Sequence, residues 1–121
     1  MVRSPLISLG AINAAIAVAA GAFAAHGLKQ RLDDYALGVF ETGARYHMYH
    51  ALAIILVGVL AGAVPRAQTS AWLFQAGIVL FSGSLYALAL TGTKALGAIT
   101  PIGGVGFLAG WAWLPWSAWR D

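Results

Sequence analysis

Charge in this chain is confined to short intervals between long apolar stretches. Of its 121 residues, four stretches contain no Lys, Arg, Asp or Glu: 4–28, 46–65, 67–93 and 95–119. A helix needs about 20 mostly apolar residues to cross a hydrocarbon core of about 30 Å. In lipid the backbone must satisfy its own hydrogen bonds, so single apolar spans must be α-helices. The pattern predicts four transmembrane helices.

Composition excludes a water-soluble domain. Hydrophobic residues make up 60% of the chain and charged residues 9%, whereas a soluble domain carries roughly 25% charged residues. The absence of cysteine excludes disulfides and thiolate-ligated metal centres. The seven Lys and Arg form no basic stripe, which argues against nucleic acid as a partner and favours contact with membrane lipids.

We predict an all-α membrane protein that forms one domain over residues 1–121. The spans are placed at about 5–25, 46–63, 69–90 and 100–119. Arg3, the first apolar run and Ala22–Ala24 resemble a signal peptide, but a run of about 20 residues exceeds the usual apolar core of a signal. We therefore expect the first stretch to be a retained span.

A short amphipathic interfacial helix is predicted at about 34–45, before the second span. Asp33 or Asp34 can cap it. Glu41 and Arg45 are four residues apart on its polar face, in the order that favours an ion pair. We expect this pair to form and to position the neighbouring histidines.

Four spans place the first and third links on one side of the membrane, opposite the termini. The tryptophans fall toward the terminal side and the tyrosines toward the other, as in two interfacial belts. The tyrosine side also carries a candidate polar cluster, because ionisable groups at membrane depth are functional-site candidates. Its members are His26, Glu41, Arg45, His47, His50, Tyr86 and Thr100.

Spaced glycines predict two helix-packing faces. Gly58 and Gly62 form a G-x-x-x-G pair in the second span, and Gly103, Gly106 and Gly110 form a second small-residue face in the fourth. Small residues at this spacing let membrane helices approach closely.

Four ordered motifs carry a family resemblance. They are Gly21-Ala-Phe-Ala-Ala-His-Gly-Leu28, Glu41-Thr-Gly-Ala-Arg-Tyr-His-Met-Tyr-His-Ala51, Phe81-Ser-Gly-Ser-Leu-Tyr86 and Leu96-Gly-Ala-Ile-Thr-Pro-Ile-Gly-Gly104. They resemble the YgdD-like family of small uncharacterised bacterial membrane proteins, which has a eukaryotic transmembrane relative. The resemblance implies a multi-pass protein of the bacterial inner (cytoplasmic) membrane, with histidine at positions 26 and 50, and implies no reaction.

Three functions fit these features. The first is a structural, accessory or lipid-contacting bundle, alone, as a homo-oligomer or in a larger membrane complex. The second is transport of a small solute or ion by an oligomer, with Asn13 and Gln75 either lining the path or hydrogen-bonding across helices. The third is a transition-metal site formed by His26, His47 and His50, since imidazole is a common metal ligand.

An enzyme has the least support. The sequence contains neither a G-x-S-x-G nor an H-E-x-x-H motif, and no span holds a pair of carboxylates. We therefore expect no catalytic residues and no cofactor, apart from the possibility of that metal.

Overall fold

The computed structural model describes residues 4–120, and nearly all of them are helical. The α-helices are α1 (Pro5–His26), α2 (Asp34–Leu60), α3 (Gln68–Gly77), α4 (Gly83–Thr91) and α5 (Thr100–Arg120). A π-helical turn, Ile78–Ser82, joins α3 to α4. Short 3-10 helices lie at Leu28–Gln30, Pro65–Ala67 and Lys94–Ala98.

Four helical segments are long and apolar enough to span a membrane, which confirms the predicted all-α membrane fold. They are Pro5–Gln30, Asp34–Leu60, Pro65–Thr91 and Lys94–Arg120. The third segment, called the third span below, consists of a 3-10 turn, α3, the π-helical turn and α4.

Capping residues define the ends of the helices. The Ser4 hydroxyl accepts a hydrogen bond from the Ile7 amide, and Pro5 occupies the first turn of α1. The third span ends at Gly92, whose φ of 71° is the left-handed conformation that glycine adopts most easily.

The segment predicted as a separate amphipathic helix is instead the first part of α2. Asp33 caps it through the Ala36 amide, and the helix continues without a break to Leu60. Gly38 and Gly43, where glycine would permit a bend, are both helical. His47 therefore lies at the midpoint of α2, thirteen residues after Asp34 and thirteen before Leu60, rather than at a helix start.

α2 and the third span form the centre of the bundle. In the most apolar 18-residue stretch of each of these two, 39% of the residues are buried. The corresponding fraction is 22% for the first span and 17% for the fourth. α1 packs mainly on α2, and α5 packs mainly on α3 and the π-helical turn. The first and last helices are therefore flanking elements with broad exposed apolar surfaces.

Two apolar clusters hold the bundle together. The larger one surrounds Phe74 and Ile54, both fully buried, in the half of the bundle that contains the chain termini. The smaller one surrounds Phe40 and Leu28 near the first link. A layer of buried polar side chains lies between these clusters along α2.

The glycines at helix contacts differ in part from those predicted. A Cβ at Gly58 would lie 2.9 Å from the Ile7 side chain, and one at Gly110 would lie 2.5 Å from Phe74. A Cβ at Gly106 would make ordinary contact at 3.4 Å with Gly77. Gly62, in contrast, follows the end of α2 and faces open space, so it does not share a packing face with Gly58.

Candidate functional site

A chain of hydrogen bonds crosses the bundle at the level of His47. His47 Nε2 lies 3.0 Å from Asn13 Oδ1, and His47 Nδ1 lies 2.9 Å from the Tyr86 hydroxyl. Asn13 Nδ2 donates to Gln75 Oε1 at 2.7 Å. The side chains of His47 and Asn13 thereby connect three spans. We call Asn13, His47, Gln75 and Tyr86 the polar layer.

The partners define the direction of each bond. Asn13 Nδ2 also donates to the Leu9 carbonyl at 2.9 Å, and a carbonyl can only accept, so Asn13 Oδ1 faces His47. His47 then carries its proton on Nε2, and Nδ1 accepts from the Tyr86 hydroxyl. The polar layer is complete with a neutral imidazole.

His50, one turn farther along α2, has a separate set of partners. Its Nδ1 lies 2.7 Å from the Tyr46 carbonyl, and its Nε2 accepts from Trp111 Nε1 at 3.0 Å. The carbonyl can only accept and the indole can only donate, so His50 carries its proton on Nδ1. Phe107 stacks on the ring at a centroid distance of 3.6 Å. His50 thus connects α2 to α5.

Serine–glycine pairs add two more polar contacts between helices. The Ser82 hydroxyl donates to the Gly43 carbonyl at 2.7 Å, and the Ser70 hydroxyl donates to the Gly110 carbonyl at 2.7 Å. Both serines are fully buried. Glycine lets the facing backbone approach closely enough for these bonds.

The structure brings together only part of the predicted polar cluster. His47 and Tyr86 are bonded, whereas His50 faces α5. The Thr100 hydroxyl lies 2.6 Å from that of Ser84, so Thr100 belongs to the contact between α4 and α5. His26 is exposed at the end of α1.

Glu41 and Arg45 lie on the outer surface of α2 and do not position the histidines. Both side chains are exposed, whereas His47 and His50 are each only 4% exposed. Arg45 donates to the Thr42 hydroxyl at 3.3 Å rather than to Glu41. The expected ion pair is therefore replaced by a local hydrogen bond.

The three histidines do not assemble a metal site. Within residues 4–120, no group of three or more His, Cys, Asp or Glu side chains is arranged to hold a metal ion. The acceptor nitrogens of His47 and His50 already accept hydrogen bonds from Tyr86 and Trp111. Each imidazole would have to give up this hydrogen bond before it could bind a metal.

Sequence reasoning left three residues out of the site. Asn13 and Gln75 were identified as polar residues at membrane depth but not joined to His47, and their isolation within charge-free stretches was the available signal. Trp111 was assigned to an interfacial belt, but its indole bonds to His50. Nothing in the local sequence distinguishes it from the other tryptophans of α5.

A surface groove lies beside His50. It has a volume of about 670 Å³ and is formed by α2, α5 and the π-helical turn, with Tyr46, Phe107 and Trp111 among its lining residues. Most of its wall is aromatic or aliphatic, so an apolar chain would fit it better than a charged solute.

Curated relatives match almost the whole chain. A UPF0382 membrane protein, YwdK, of Bacillus subtilis is 54% identical over 108 residues, covering 87% of this chain and 88% of the relative. A UPF0382 membrane protein of Staphylococcus aureus is 51% identical over 109 residues, covering 89% of each. One of Staphylococcus epidermidis is 50% identical over 106 residues, covering 87% of each.

No solved structure matches this chain. The family described as "Protein of unknown function (DUF423)" matches residues 20–104, which include Gly21–Leu28, Glu41–Ala51 and Phe81–Tyr86. These matches agree with the expected uncharacterised membrane family, though under a different name from the YgdD-like one. The chain belongs to the DUF423 family of membrane proteins of unknown function.

Proposed function

We propose that this protein is a non-enzymatic accessory bundle that works without a cofactor through contact with lipids or other membrane helices. The observation that carries the proposal is the saturation of its interior. Within residues 4–120, no buried side-chain nitrogen or oxygen lacks a hydrogen-bond partner.

An interior in which every buried polar side chain already has a hydrogen-bond partner favours a structural role over a binding or catalytic site. Asn13 uses its amide group twice and its oxygen once, and His47 and His50 each use both ring nitrogens. A bound substrate would have to displace one of these partners and leave a buried group unpaired, at a cost of about 1–3 kcal/mol. Fully satisfied polar networks make a core rigid and specific.

The buried surface of the described chain also contains no formal charge. Its buried polar residues are Asn, His and Ser, with no Asp, Glu, Lys or Arg among them. Ion-coupled transporters generally place such a residue inside the membrane. This composition supports a packing role over coupled transport.

The outer surface is suited to lipid. Ile12, Ile16 and Val18 are more than half exposed on α1, as are Ile102, Val105 and Leu108 on α5. Apolar side chains that would be unfavourable in water are matched to acyl chains. Membrane lipids are therefore the proposed partners of these two flanking helices.

We place the protein in the bacterial inner (cytoplasmic) membrane. Its spans are α-helical, whereas proteins of the bacterial outer membrane cross it mainly as β-barrels. We also propose that the YgdD-like proteins belong with this family, because the four motifs quoted above follow the same order along nearly the whole chain.

Flux measurements test the accessory role. The purified protein is reconstituted into liposomes that hold a potassium or proton gradient, at several protein-to-lipid ratios. We expect the gradient to decay as in protein-free liposomes, and an ionophore added at the end verifies that a gradient was present. A decay rate that rises with protein content would overturn the proposal.

Transport by an oligomer is the second candidate. Its specific support is the π-helical turn Ile78–Ser82, because π-helical turns are frequent at functional sites and this one borders the aromatic groove. The same liposomes test it. Flux that appears only at protein densities where oligomers form would favour transport.

A further inference from the structure

The outer surface of α2 carries two opposite charges on a face that is otherwise apolar. Glu41, Arg45, Tyr49, Leu52 and Leu56 follow one another at intervals of three or four residues and are all exposed. This spacing places them in one stripe along the helix. We call these five residues the outer stripe.

Both charges lie within the helical segment Asp34–Leu60, which is long and apolar enough to span a membrane. A small groove of about 240 Å³ on the α1 side is lined by Ala17, Gly21, Glu41 and Arg45. Ala17 and Gly21 precede the end of α1 at His26 by nine and five residues, or about 14 and 8 Å along the helix axis. Glu41 and Arg45 therefore lie beside the apolar helix α1, about one to three turns before its C-terminal end.

A single copy leaves most of the hydrogen-bonding capacity of these charges unused. Arg45 donates to Thr42 at 3.3 Å, and its guanidinium has five N–H groups. In the described part of the chain, neither Glu41 nor Arg45 takes part in an ion pair, although they are four residues apart on one helix. Charged side chains at this depth generally pair with one another or face a partner.

We propose that two copies of this chain associate through the outer stripe, with Glu41 of each bound to Arg45 of the partner subunit. For two copies inserted in the same direction, a two-fold axis along the membrane normal brings two parallel α2 helices together. The outer stripe of one copy then packs against the outer stripe of the other. Each Glu41 carboxylate faces the guanidinium of Arg45 of the partner subunit, one helical turn away.

The surroundings favour a second copy over a lipid headgroup. An anionic headgroup would satisfy Arg45 but repel Glu41, whereas a second outer stripe satisfies both. Gly38, one turn before Glu41, has open space beyond its Cα, which allows close approach of a facing helix. The association does not depend on whether the bundle conducts ions.

Cysteine cross-linking tests the interface, because the chain contains no native cysteine. A Leu52→Cys variant in native membranes is oxidised and examined for a disulfide-linked dimer. Val105→Cys on α5 is the matched control, since the two side chains are similarly exposed, at 55% and 64%. We expect efficient dimer formation for Leu52→Cys only. Equal cross-linking at both sites would reflect random collision and would overturn the proposal.

Charge reversal then tests the ion pair in the Leu52→Cys background. Glu41→Arg and Arg45→Glu should each reduce dimer formation about tenfold, because each places like charges across the interface. The double variant should restore it. No loss in the single variants, or no recovery in a double variant that remains monodisperse and helical, would overturn the proposed pairing. If added zwitterionic lipid abolishes the dimer and the same amount of anionic lipid does not, the outer stripe binds lipid headgroups instead of a second copy.

Discussion

At the residue scale, His47 is the residue on which the polar layer depends. It alone contacts both Asn13 on α1 and Tyr86 on α4, and both contacts join different spans. His47 is only 4% exposed at the middle of α2, so these bonds are shielded from solvent. Removing the imidazole would leave the Asn13 oxygen and the Tyr86 hydroxyl without their partner.

We expect His47→Phe to lower the free energy of unfolding by about 1–3 kcal/mol, since buried Asn13 and half-buried Tyr86 each lose a hydrogen-bond partner. Equilibrium unfolding in mixed micelles, followed by circular dichroism, measures the change. His26→Phe is the control, because His26 is exposed and should change stability by less than about 0.5 kcal/mol. Equal effects of the two substitutions would show that the polar layer contributes little.

The residue types of this layer were predictable, but their partners were not. Asn13 and Gln75 stand out in charge-free stretches, and their hydrogen bond across helices was one of two interpretations that the sequence allowed. The pairing with His47 depends on how far α2 is shifted along α1. That shift is set by close contacts such as the one between Gly10 and Ala51. Such contacts cannot be identified from a single sequence.

At the element scale, the tightest glycine contact lies between α5 and the π-helical turn. A Cβ added at Gly103 would collide with the backbone at Phe81 and Leu80. Backbone cannot move aside as the end of a flexible side chain can, so this contact requires glycine. The sequence predicted a glycine face on this helix at Gly103, Gly106 and Gly110, and Gly103 is its tightest position.

Gly103→Ala should destabilise the protein by about 1–3 kcal/mol through overpacking at this contact. Gly83→Ala is the matched control, because a Cβ there meets nothing within 4 Å and alanine favours the helix by about 1 kcal/mol. Thermal unfolding in detergent compares the two variants. The assignment fails if Gly103→Ala is as stable as Gly83→Ala.

The extent of α2 was harder to predict than its existence. The charge-free stretch begins at Tyr46, so the span was placed there, and Glu41 and Arg45 marked the preceding residues as interfacial. The structure keeps those charges on the outside of a continuous helix. Composition reveals which residues face water or lipid, but it does not reveal where a helix that carries charges on one face ends.

At the scale of the whole molecule, the four-span fold was predictable because lipid permits few alternatives. Apolar stretches of sufficient length must be helical, and four of them place both ends of the chain on one side. The order of packing, with α2 and the third span central, was not predicted. It depends on how the buried faces fit together and not on hydropathy.

Single cysteines in the otherwise cysteine-free chain test this topology. Lys29→Cys and Thr93→Cys, in the first and third links, should react together with a membrane-impermeant thiol reagent in intact cells or in inverted vesicles. Ala63→Cys, in the second link, should react in the opposite preparation. Labelling of Ala63→Cys in the same preparation as the other two would require a different number of spans.

The two histidines of α2 have a consequence for how assembly of the bundle can be followed. His47 holds its proton on Nε2 because of α1 and α4, and His50 holds its proton on Nδ1 because of its own backbone and α5. Two rings of the same type, three residues apart on one helix, are therefore locked as opposite tautomers by different neighbours. The tautomer of each ring therefore reports whether its neighbouring flanking helix has packed against α2. Together the two rings report separately on the packing of the first and the last helix.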